Sequence, residues 1–153
     1  MASLELKIPP PVVAAVMALL MWGVARMIAP VAMGDGVRQA VTGALTLCAV
    51  AFAAPALLQF RRARTTVHPE KPERTSALVT DGIFRLSRNP MYVGVTLLLL
   101  AWTVWLRTPA AVLGPVAFML YVTRFQIVPE ERVLTEKFGV RYAEYCRRVR
   151  RWV

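Results

Sequence analysis

The residue types that could do chemistry are concentrated in two polar clusters that lie far apart in the sequence. Arg85, Arg88 and Asn89 belong to the first cluster, and Glu130 and Glu131 form the centre of the second. Asn89 precedes a proline and a long apolar stretch, so it marks a helix start whose free N–H groups favour an anionic or electron-rich ligand. Adjacent carboxylates beside an apolar stretch are costly unless they meet cations or ligand hydroxyls. The sequence therefore predicts that one of the glutamates pairs with one of the arginines, or binds a ligand's ammonium group or ribose hydroxyls.

The same residues also have a purely structural interpretation. The Arg-Asn-Pro sequence of the first cluster is compatible with an ordinary helix start beside a snorkelling arginine. Glu130 and Glu131 suit the first turn of a solvated helix, where acidic side chains complement the helix dipole. His68 is the single histidine, and Cys48 and Cys146 have no metal-binding spacing. We therefore expect no metal site.

The elements that must position these clusters are apolar. The chain is 57% hydrophobic, its mean hydropathy is +0.49, and its apolar residues form long blocks with the charged residues between them. That distribution is typical of membrane proteins. We therefore predict an all-α integral membrane helical bundle in a single domain, residues 1–153. Its parts are about four transmembrane helices at about residues 9–29, 38–60, 91–106 and 109–127, a cytoplasmic loop at 61–90 and a cytoplasmic tail at 129–153.

Proline and its neighbours predict where these helices bend and end. Pro55 lies within the second apolar block and predicts a kink there. Arg107 and Pro109 separate the third and fourth blocks tightly, which predicts an antiparallel helical hairpin. The first block lacks the basic flank and the cleavage site of a signal peptide, so we expect it to be a retained helix.

The tail carries an apolar stripe at helical spacing, and most of its arginines lie off that stripe. A basic amphipathic helix next to a membrane is typical of the lipid–water interface. We therefore predict a C-terminal amphipathic interfacial helix, divided into two segments at Gly139 because glycine weakens a helix. The members of the stripe are Leu134, Phe138, Tyr142, Tyr145, Val149 and Trp152.

The net charge of +10 bears on both the partners and the orientation of the chain. Lys and Arg number 19 against 9 acidic residues, and they flank the apolar blocks rather than lining one soluble face. We therefore expect anionic membrane lipids, and no nucleic acid, as partners. The 61–90 loop and the tail carry most of the arginines, whereas the opposite loops offer little beyond Arg38 and Arg107. The positive-inside rule then places both termini and the active site in the cytoplasm, and we expect a bacterial inner membrane.

Three motifs follow one another from the middle of the chain to its end. They read LVTDGIF, RNPMYVG and, after an apolar hairpin, EERVLTEKFGVRYAEYCRRV. Together they resemble the isoprenylcysteine carboxyl methyltransferase and phospholipid methyltransferase superfamily of membrane enzymes. The resemblance extends from about Ser76 to Trp152, and it is specific because several motifs keep both their order and their spacing.

This resemblance implies a methyltransferase with S-adenosylmethionine as its methyl donor, a donor pocket facing the cytoplasm, and a lipophilic or lipid acceptor that enters from the bilayer. The enzyme would mainly align the reactants and exclude water. A carboxylate would offset the cationic donor or accept a proton from an amine acceptor. The implied donor-binding residues are Ser76, Ala77, Leu78, Val79, Phe84, Asn89, Pro90, Met91, Tyr92 and Glu130, with Glu131 as the neighbouring alternative. The candidate catalytic residues are Glu130, Glu131 and Arg88.

Three positions depart from the superfamily's pattern. Phe84 stands where tyrosine is usual, and Asn89 stands where histidine is common. Gln126 stands near the place where eukaryotic carboxyl methyltransferases have an arginine that handles the substrate, and Arg124 is the available substitute. The acceptor therefore stays open between an amine phospholipid, an isoprenoid carboxylate and a thiol. A non-enzymatic membrane scaffold or lipid-binding protein is the alternative function, and a small transporter ranks last because the apolar blocks hold few polar residues.

Overall fold

The computed structural model describes residues 5–62 and 78–153, and all the regular structure in these two ranges is helical. The predicted all-α class is confirmed. Short 3₁₀ turns at Gly82–Arg85 and Pro109–Val112 and a π-helical turn at Thr123–Ile127 connect the longer elements. The α-helices in the described ranges are α1 Pro10–Met27, α2 Asp35–Arg62, α3 Pro90–Leu106, α4 Leu113–Val122, α5 Val128–Phe138 and α6 Val140–Arg148.

Several of these helices are suited to a lipid environment. By length and composition, Pro10–Met27, Asp35–Arg61 and a continuous run over Pro109–Phe138 can cross a membrane, and α3 is a shorter apolar helix. Large apolar side chains face outward from them, and Leu19 and Leu47 are exposed by 66% and 73%. Such an apolar exterior suits lipid rather than water. The protein is an integral membrane protein built as a helical bundle.

Proline and backbone geometry explain the ends of the membrane helices. Pro10 and Pro90 occupy the first turns of α1 and α3, where a missing N–H costs nothing. α3 ends at Leu106 because Arg107 adopts a left-handed conformation with φ 54°. The Arg107 carbonyl accepts a hydrogen bond from the Val31 N–H at 2.8 Å. This bond joins the two turns at one end of the bundle.

We refer to the continuous helical run Pro109–Phe138 as the fourth run. It extends beyond the helix end that the sequence predicted. We expected a helix up to residue 127 and a separate tail from residue 129, whereas α4 passes through the π-helical turn into α5 without a break. Pro129 has no N–H, so the Phe125 carbonyl loses its usual α-helical donor. The Leu6 N–H donates to that carbonyl at 3.0 Å. The N-terminal segment thus satisfies the backbone at the proline and lies against the fourth run.

α2 and α3 approach each other closely because small residues lie at their contact. A Cβ added at Gly94 of α3 would lie 2.9 Å from the Ala49 carbonyl oxygen and 3.0 Å from the Ala53 Cβ. Membrane helices commonly use small residues in this way to bring their backbones together. The contact fixes the position of α3, and with it the polar cluster at the start of that helix, relative to α2.

Two buried clusters organise the bundle. The first cluster joins α1, α3 and the fourth run, with Met21 and Phe118 among its fully packed members. The second cluster joins the end of α2, the first 3₁₀ turn and α6, with Phe84, Tyr142 and Tyr145 among its members. Much of the tail's apolar stripe belongs to this second cluster. The stripe therefore packs on the protein itself, and the position of the tail at the lipid interface stays a prediction.

Candidate active site

A cavity of about 280 Å³ lies where the two buried clusters meet. Its walls come from the starts of α1 and α3, from α2, from the segment that precedes the first 3₁₀ turn, and from α5 and α6. Pockets for small molecules typically measure roughly 300–1,000 Å³, so this cavity is close to the lower end of that range. Most of its walls are apolar, and the polar groups are concentrated at the start of α3 and on α5.

The two polar clusters of the sequence meet at this cavity. The hairpin formed by α3 and the fourth run brings the start of α3 and the start of α5 to the same end of the bundle. Ser76 and Ala77 lie outside the described residues. The other residues predicted for the site come from three separate stretches of the chain and line the one cavity: Leu78, Val79, Phe84, Arg88, Asn89, Pro90, Met91, Tyr92, Glu130 and Glu131.

Sequence reasoning missed the part of the apolar wall that comes from α1 and α2. Pro10 and Pro11 line the cavity from the start of α1. Ala53 and Phe60 line it from α2, where they resemble any other residues of a membrane helix. Apolar side chains in an apolar block carry no chemical signal. Only the packing of the helices identifies them.

Glu131 is held between two arginines. The Arg151 guanidinium makes a two-pronged ion pair with it, from Nε to Oε1 at 3.0 Å and from Nη2 to Oε2 at 2.6 Å. Arg88 Nη1 lies 3.1 Å from Oε1. Arg85, the other predicted partner, instead pairs with Asp81 at 3.2 Å. The hydrogen bond to Glu131 raises the pKa of Arg151, so the guanidinium keeps its positive charge. The negative charge of Glu131 is therefore compensated.

Glu130 precedes Glu131 by one residue and has different surroundings. It is partly buried and lines the cavity. Among the described residues, no arginine or lysine forms an ion pair with it, since both neighbouring guanidinium groups are engaged by Glu131. An unpaired carboxylate in an apolar surrounding is costly, and such groups are typical of binding and catalytic sites. The carboxylate of Glu130 suits a cationic ligand.

The start of α3 is held by the end of the chain. Asn89 Nδ2 donates to the Arg151 carbonyl at 2.9 Å, and Ser87 Oγ donates to the same carbonyl at 3.3 Å. The Arg88 N–H donates to the Arg150 carbonyl at 3.0 Å. The side-chain amide nitrogen of Asn89 thus has a structural partner, while the residue still lines the cavity. Pro90 has no N–H and the Val93 N–H donates to the Asn89 carbonyl, so the first-turn N–H groups without an intrahelical acceptor are those of Met91 and Tyr92, two residues that line the cavity.

Two tyrosines of α6 contribute hydroxyl groups near the wall. The Tyr145 hydroxyl donates to the Phe84 carbonyl at 2.7 Å. Burial raises the pKa of the Tyr145 and Tyr142 hydroxyls well above the usual range, and the Glu131 charge adds to the effect at Tyr142. Both hydroxyls stay protonated at neutral pH. The Phe84 ring packs edge-on against Phe60 at 5.1 Å, so the position where the superfamily has tyrosine is filled by a buried ring.

The residues at the expected place of a substrate-handling arginine do not line the cavity. Gln126 is fully buried, and its Nε2 donates to the Ile8 carbonyl at 2.8 Å. The Arg124 side chain is 60% exposed and pairs with Glu5 at 3.0 Å. Both residues belong to the π-helical turn, and both bind the N-terminal segment.

Comparison with curated proteins identifies relatives for part of the chain. A protein of Haemophilus influenzae, named only as uncharacterized, is 48% identical over 63 residues, which make up 41% of this chain and the whole of that protein. Protein-S-isoprenylcysteine O-methyltransferase A of Arabidopsis thaliana is 40% identical over 80 residues, covering 50% of this chain and 39% of that protein. Protein-S-isoprenylcysteine O-methyltransferase B is 32% identical over 97 residues, covering 61% and 48%. The matched region thus spans less than half the length of these plant relatives.

No solved structure matches the chain. The phospholipid methyltransferase family matches residues 37–141. That range runs from the start of α2 into α6 and includes both polar clusters. Because the match covers most of the chain, the protein belongs to the phospholipid methyltransferase family.

Proposed function

We propose that the protein is an S-adenosylmethionine-dependent methyltransferase that acts on a lipophilic or lipid acceptor at the cytoplasmic face of the membrane. The observation that carries this proposal is one cavity that gathers the motif residues around an uncompensated carboxylate, Glu130. Membership of the family supports methyl transfer. The apolar walls and the membrane helices support an acceptor that enters from the bilayer.

The residues of the cavity fit this donor. When bound, the donor supplies a methyl group that is activated by a cationic sulfur. Glu130 offers this cation a carboxylate that no described arginine neutralises. The first turn of α3 offers backbone N–H groups to anionic or hydroxyl groups. The aromatic side chains of Phe60, Tyr142 and Tyr145 provide faces on which a flat heterocycle can pack.

The side chains have little covalent chemistry to perform. The apolar walls exclude water and hold an acceptor in line with the methyl group. Glu130 orients the cation and takes the proton from an amine acceptor as the new carbon–nitrogen bond forms. Arg88 and Glu131 were candidates for catalysis on the sequence. Because they bind each other at 3.1 Å, we assign them to holding the wall of the cavity.

The charges around the cavity favour an amine acceptor over a carboxylate. A carboxylate acceptor needs a cation directed into the cavity, but among the described residues Arg151 and Arg124 do not line the cavity, and Arg88, which does, pairs with Glu131. Glu130 is available to receive the proton that an ammonium group loses. The names of the plant relatives refer to O-methylation of isoprenylcysteine, and the family's name refers to phospholipids. The arrangement of charge supports an amine phospholipid.

Calorimetry on the purified protein in detergent tests the donor. We expect S-adenosylmethionine and its demethylated product, S-adenosylhomocysteine, to bind in the range of about 1 µM to 1 mM that is common for enzyme ligands. A folded protein that binds neither would favour the alternative of a scaffold or lipid-binding protein. That alternative draws support from Asn89, whose amide nitrogen is bound to the Arg151 carbonyl.

Incubation with a donor labelled on its methyl group tests the acceptor. The protein, in its native membrane or in lipid nanodiscs, is supplied with total bacterial lipids. Parallel reactions contain phosphatidylethanolamine or an S-farnesylcysteine with a free carboxylate. We expect label on the amine lipid and not on the farnesylcysteine. Label on the farnesylcysteine alone would overturn the choice of acceptor and leave methyl transfer itself intact.

A further inference from the structure

The last residues of the chain pass beside the start of α3 after α6 has ended. We refer to residues 149–152 as the C-terminal strap. Its first residue, Val149, has φ −126° and ψ 131°, so the chain leaves α6 in an extended conformation. The carbonyls of Arg150 and Arg151 accept the hydrogen bonds from the start of α3 described above. Trp152 packs against the first buried cluster. The backbone of the strap is therefore fixed on both sides of the Arg151 side chain.

This fixed backbone presents the Arg151 guanidinium to Glu131 in one geometry. Its Nε and Nη2 meet the two carboxylate oxygens at 3.0 and 2.6 Å, a planar two-bond contact that arginine can make and lysine cannot. The Glu131 side chain is 18% exposed and lines the cavity, whereas Arg151 does not line it. The arginine thus places one positive charge on the outer side of a carboxylate in the cavity wall.

We propose that Arg151 is a positioning residue that sets the charge the methyl donor meets: together with Arg88 it offsets the charge of Glu131 and leaves Glu130 as the carboxylate that faces the donor. This inference rests on the proposed methyl transfer. The donor is a cation at sulfur and the demethylated product is neutral there, so the charge of the wall discriminates between them. A wall that became more negative would retain the donor more strongly relative to the product, and a more positive wall would do the reverse.

The ratio of donor affinity to product affinity tests this role. Arg151→Gln makes the wall more negative by one unit of charge and should raise the ratio about three- to tenfold. Glu131→Gln makes the wall more positive by one unit and should lower the ratio by a similar factor. In the double variant the two changes cancel, so the ratio should return to within about twofold of the wild-type value. Calorimetry with S-adenosylmethionine and S-adenosylhomocysteine gives each ratio, and thermal unfolding gives the stability of each variant.

Further variants distinguish an effect of the Arg151 charge on ligand binding from an effect of Arg151 on the stability of the fold. Arg151→Met removes the charge while keeping an apolar stem, and it should raise the ratio as Arg151→Gln does. Arg148→Gln removes an exposed arginine of α6 and should leave the ratio unchanged. An unchanged ratio in both charge-removing variants, with equal losses in the two affinities, would show that Arg151 only stabilises the fold, and the inference would be wrong. A folded wild-type protein that binds neither ligand would instead contradict the proposed function.

Discussion

Glu130 and Glu131 are neighbours in α5, and the structure gives them opposite electrostatic surroundings. Glu131 has a guanidinium group on each side, so the loss of its carboxylate would leave two arginines unpaired. Glu130 has no such partner among the described residues, and an unpaired carboxylate in a partly buried position lowers stability when it is charged. Sequence alone could not choose between them, because their spacing from each motif differs by only one residue. The ion pairs lead us to expect that Glu130 faces the donor.

Replacement of Glu130 by glutamine should weaken the binding of the methyl donor without lowering the stability of the fold. Removing a charged partner from a buried contact typically costs about 1.5–3 kcal/mol, so S-adenosylmethionine should bind roughly ten- to a hundredfold more weakly. The melting temperature should stay the same or rise, because an unpaired charge is removed. Glu136→Gln, at an exposed position of the same helix, is the matched control and should bind the donor as the wild type does. Equal donor affinity in Glu130→Gln and wild type would make Glu131 the better candidate.

Asn89 is expected to behave differently, because its side chain has both a place in the cavity wall and a structural partner. Asn89→Ala removes the hydrogen bond to the Arg151 carbonyl, which keeps the one from Ser87. We expect a loss of about 1 kcal/mol in the free energy of unfolding, together with roughly tenfold weaker donor binding. Thermal unfolding and calorimetry on the same preparation measure the two effects. A lower melting temperature with unchanged affinity would mean that Asn89 serves only the fold.

At the scale of elements, α6 is attached to the cavity wall through one buried hydrogen bond. Tyr145→Phe deletes the donor at 2.7 Å and leaves the Phe84 carbonyl without it. Because the site is buried, we expect the variant to be less stable by about 1–3 kcal/mol. Tyr121→Phe is the matched control, since the buried Tyr121 hydroxyl has no hydrogen-bond partner in the part of the chain that the structure describes. Thermal unfolding should show no loss for Tyr121→Phe, and equal losses in both variants would contradict the assignment.

The packing of α2 against α3 depends on the absence of a side chain at Gly94. Gly94→Ala would place a Cβ 2.9 Å from the Ala49 carbonyl oxygen, so the helices must move apart. We expect a loss of about 1–3 kcal/mol in stability, the usual cost of overpacking. Donor binding should also weaken, because Ala53 at the same contact lines the cavity. Gly43→Ala, with no atom within 4 Å of the added Cβ, should keep or improve stability. A Gly94→Ala variant as stable as Gly43→Ala would rule out the close approach.

The sequence predicted those elements whose signal is local. The all-α class followed from the apolar blocks, and Gly139, with φ 50°, lies between α5 and α6 as its helix-weakening character suggested. The continuation of the fourth run through Pro129 could not be predicted in this way. A proline normally marks a helix boundary, and the donor that compensates for it, the Leu6 N–H, comes from the other end of the chain.

In the candidate site, too, the sequence predicted the residues with a local signal and missed those that only tertiary contacts identify. Glu130 and Asn89 were identifiable because polar residues stand out beside apolar blocks and belong to a recognisable motif. Ala53 gave no signal, because it is one small residue among many in α2. Arg151 resembled the other arginines of the tail. Its ion pair with Glu131 and its backbone contacts with the start of α3 are the features that distinguish it, and both are tertiary.

At the scale of the whole molecule, the basic residues of α6 and the cavity lie at the same end of the helical bundle. The cavity lies at the end of the bundle where α3 begins, and α5 and α6 form part of its wall. The exposed arginines of α6 lie at this end too. Residues 78–89 lead into α3 at the same end, because the start of α3 forms part of the cavity wall. The opposite end has the turn between α1 and α2 and the turn at Arg107. A membrane bundle with this asymmetry should be inserted with its basic end in the cytoplasm.

Reporter fusions should therefore detect both termini in the cytoplasm. A fluorescent protein that matures only in the cytoplasm should be active after Val153, and an alkaline phosphatase that folds only outside should be active when inserted after Gly34. Four crossings require this alternation, because an even number of membrane passages returns the chain to the side on which it began.

Phosphatase activity at Val153 would mean an odd number of crossings or an inverted bundle. An inverted bundle would put the arginines of the 61–90 segment and of the tail outside, against the charge bias that normally sets orientation. It would also put Glu130 on the side of the membrane away from the cytoplasm. Cytoplasmic activity at Val153 with external activity at Gly34 is the only pair of results consistent with four crossings and a cytoplasmic site.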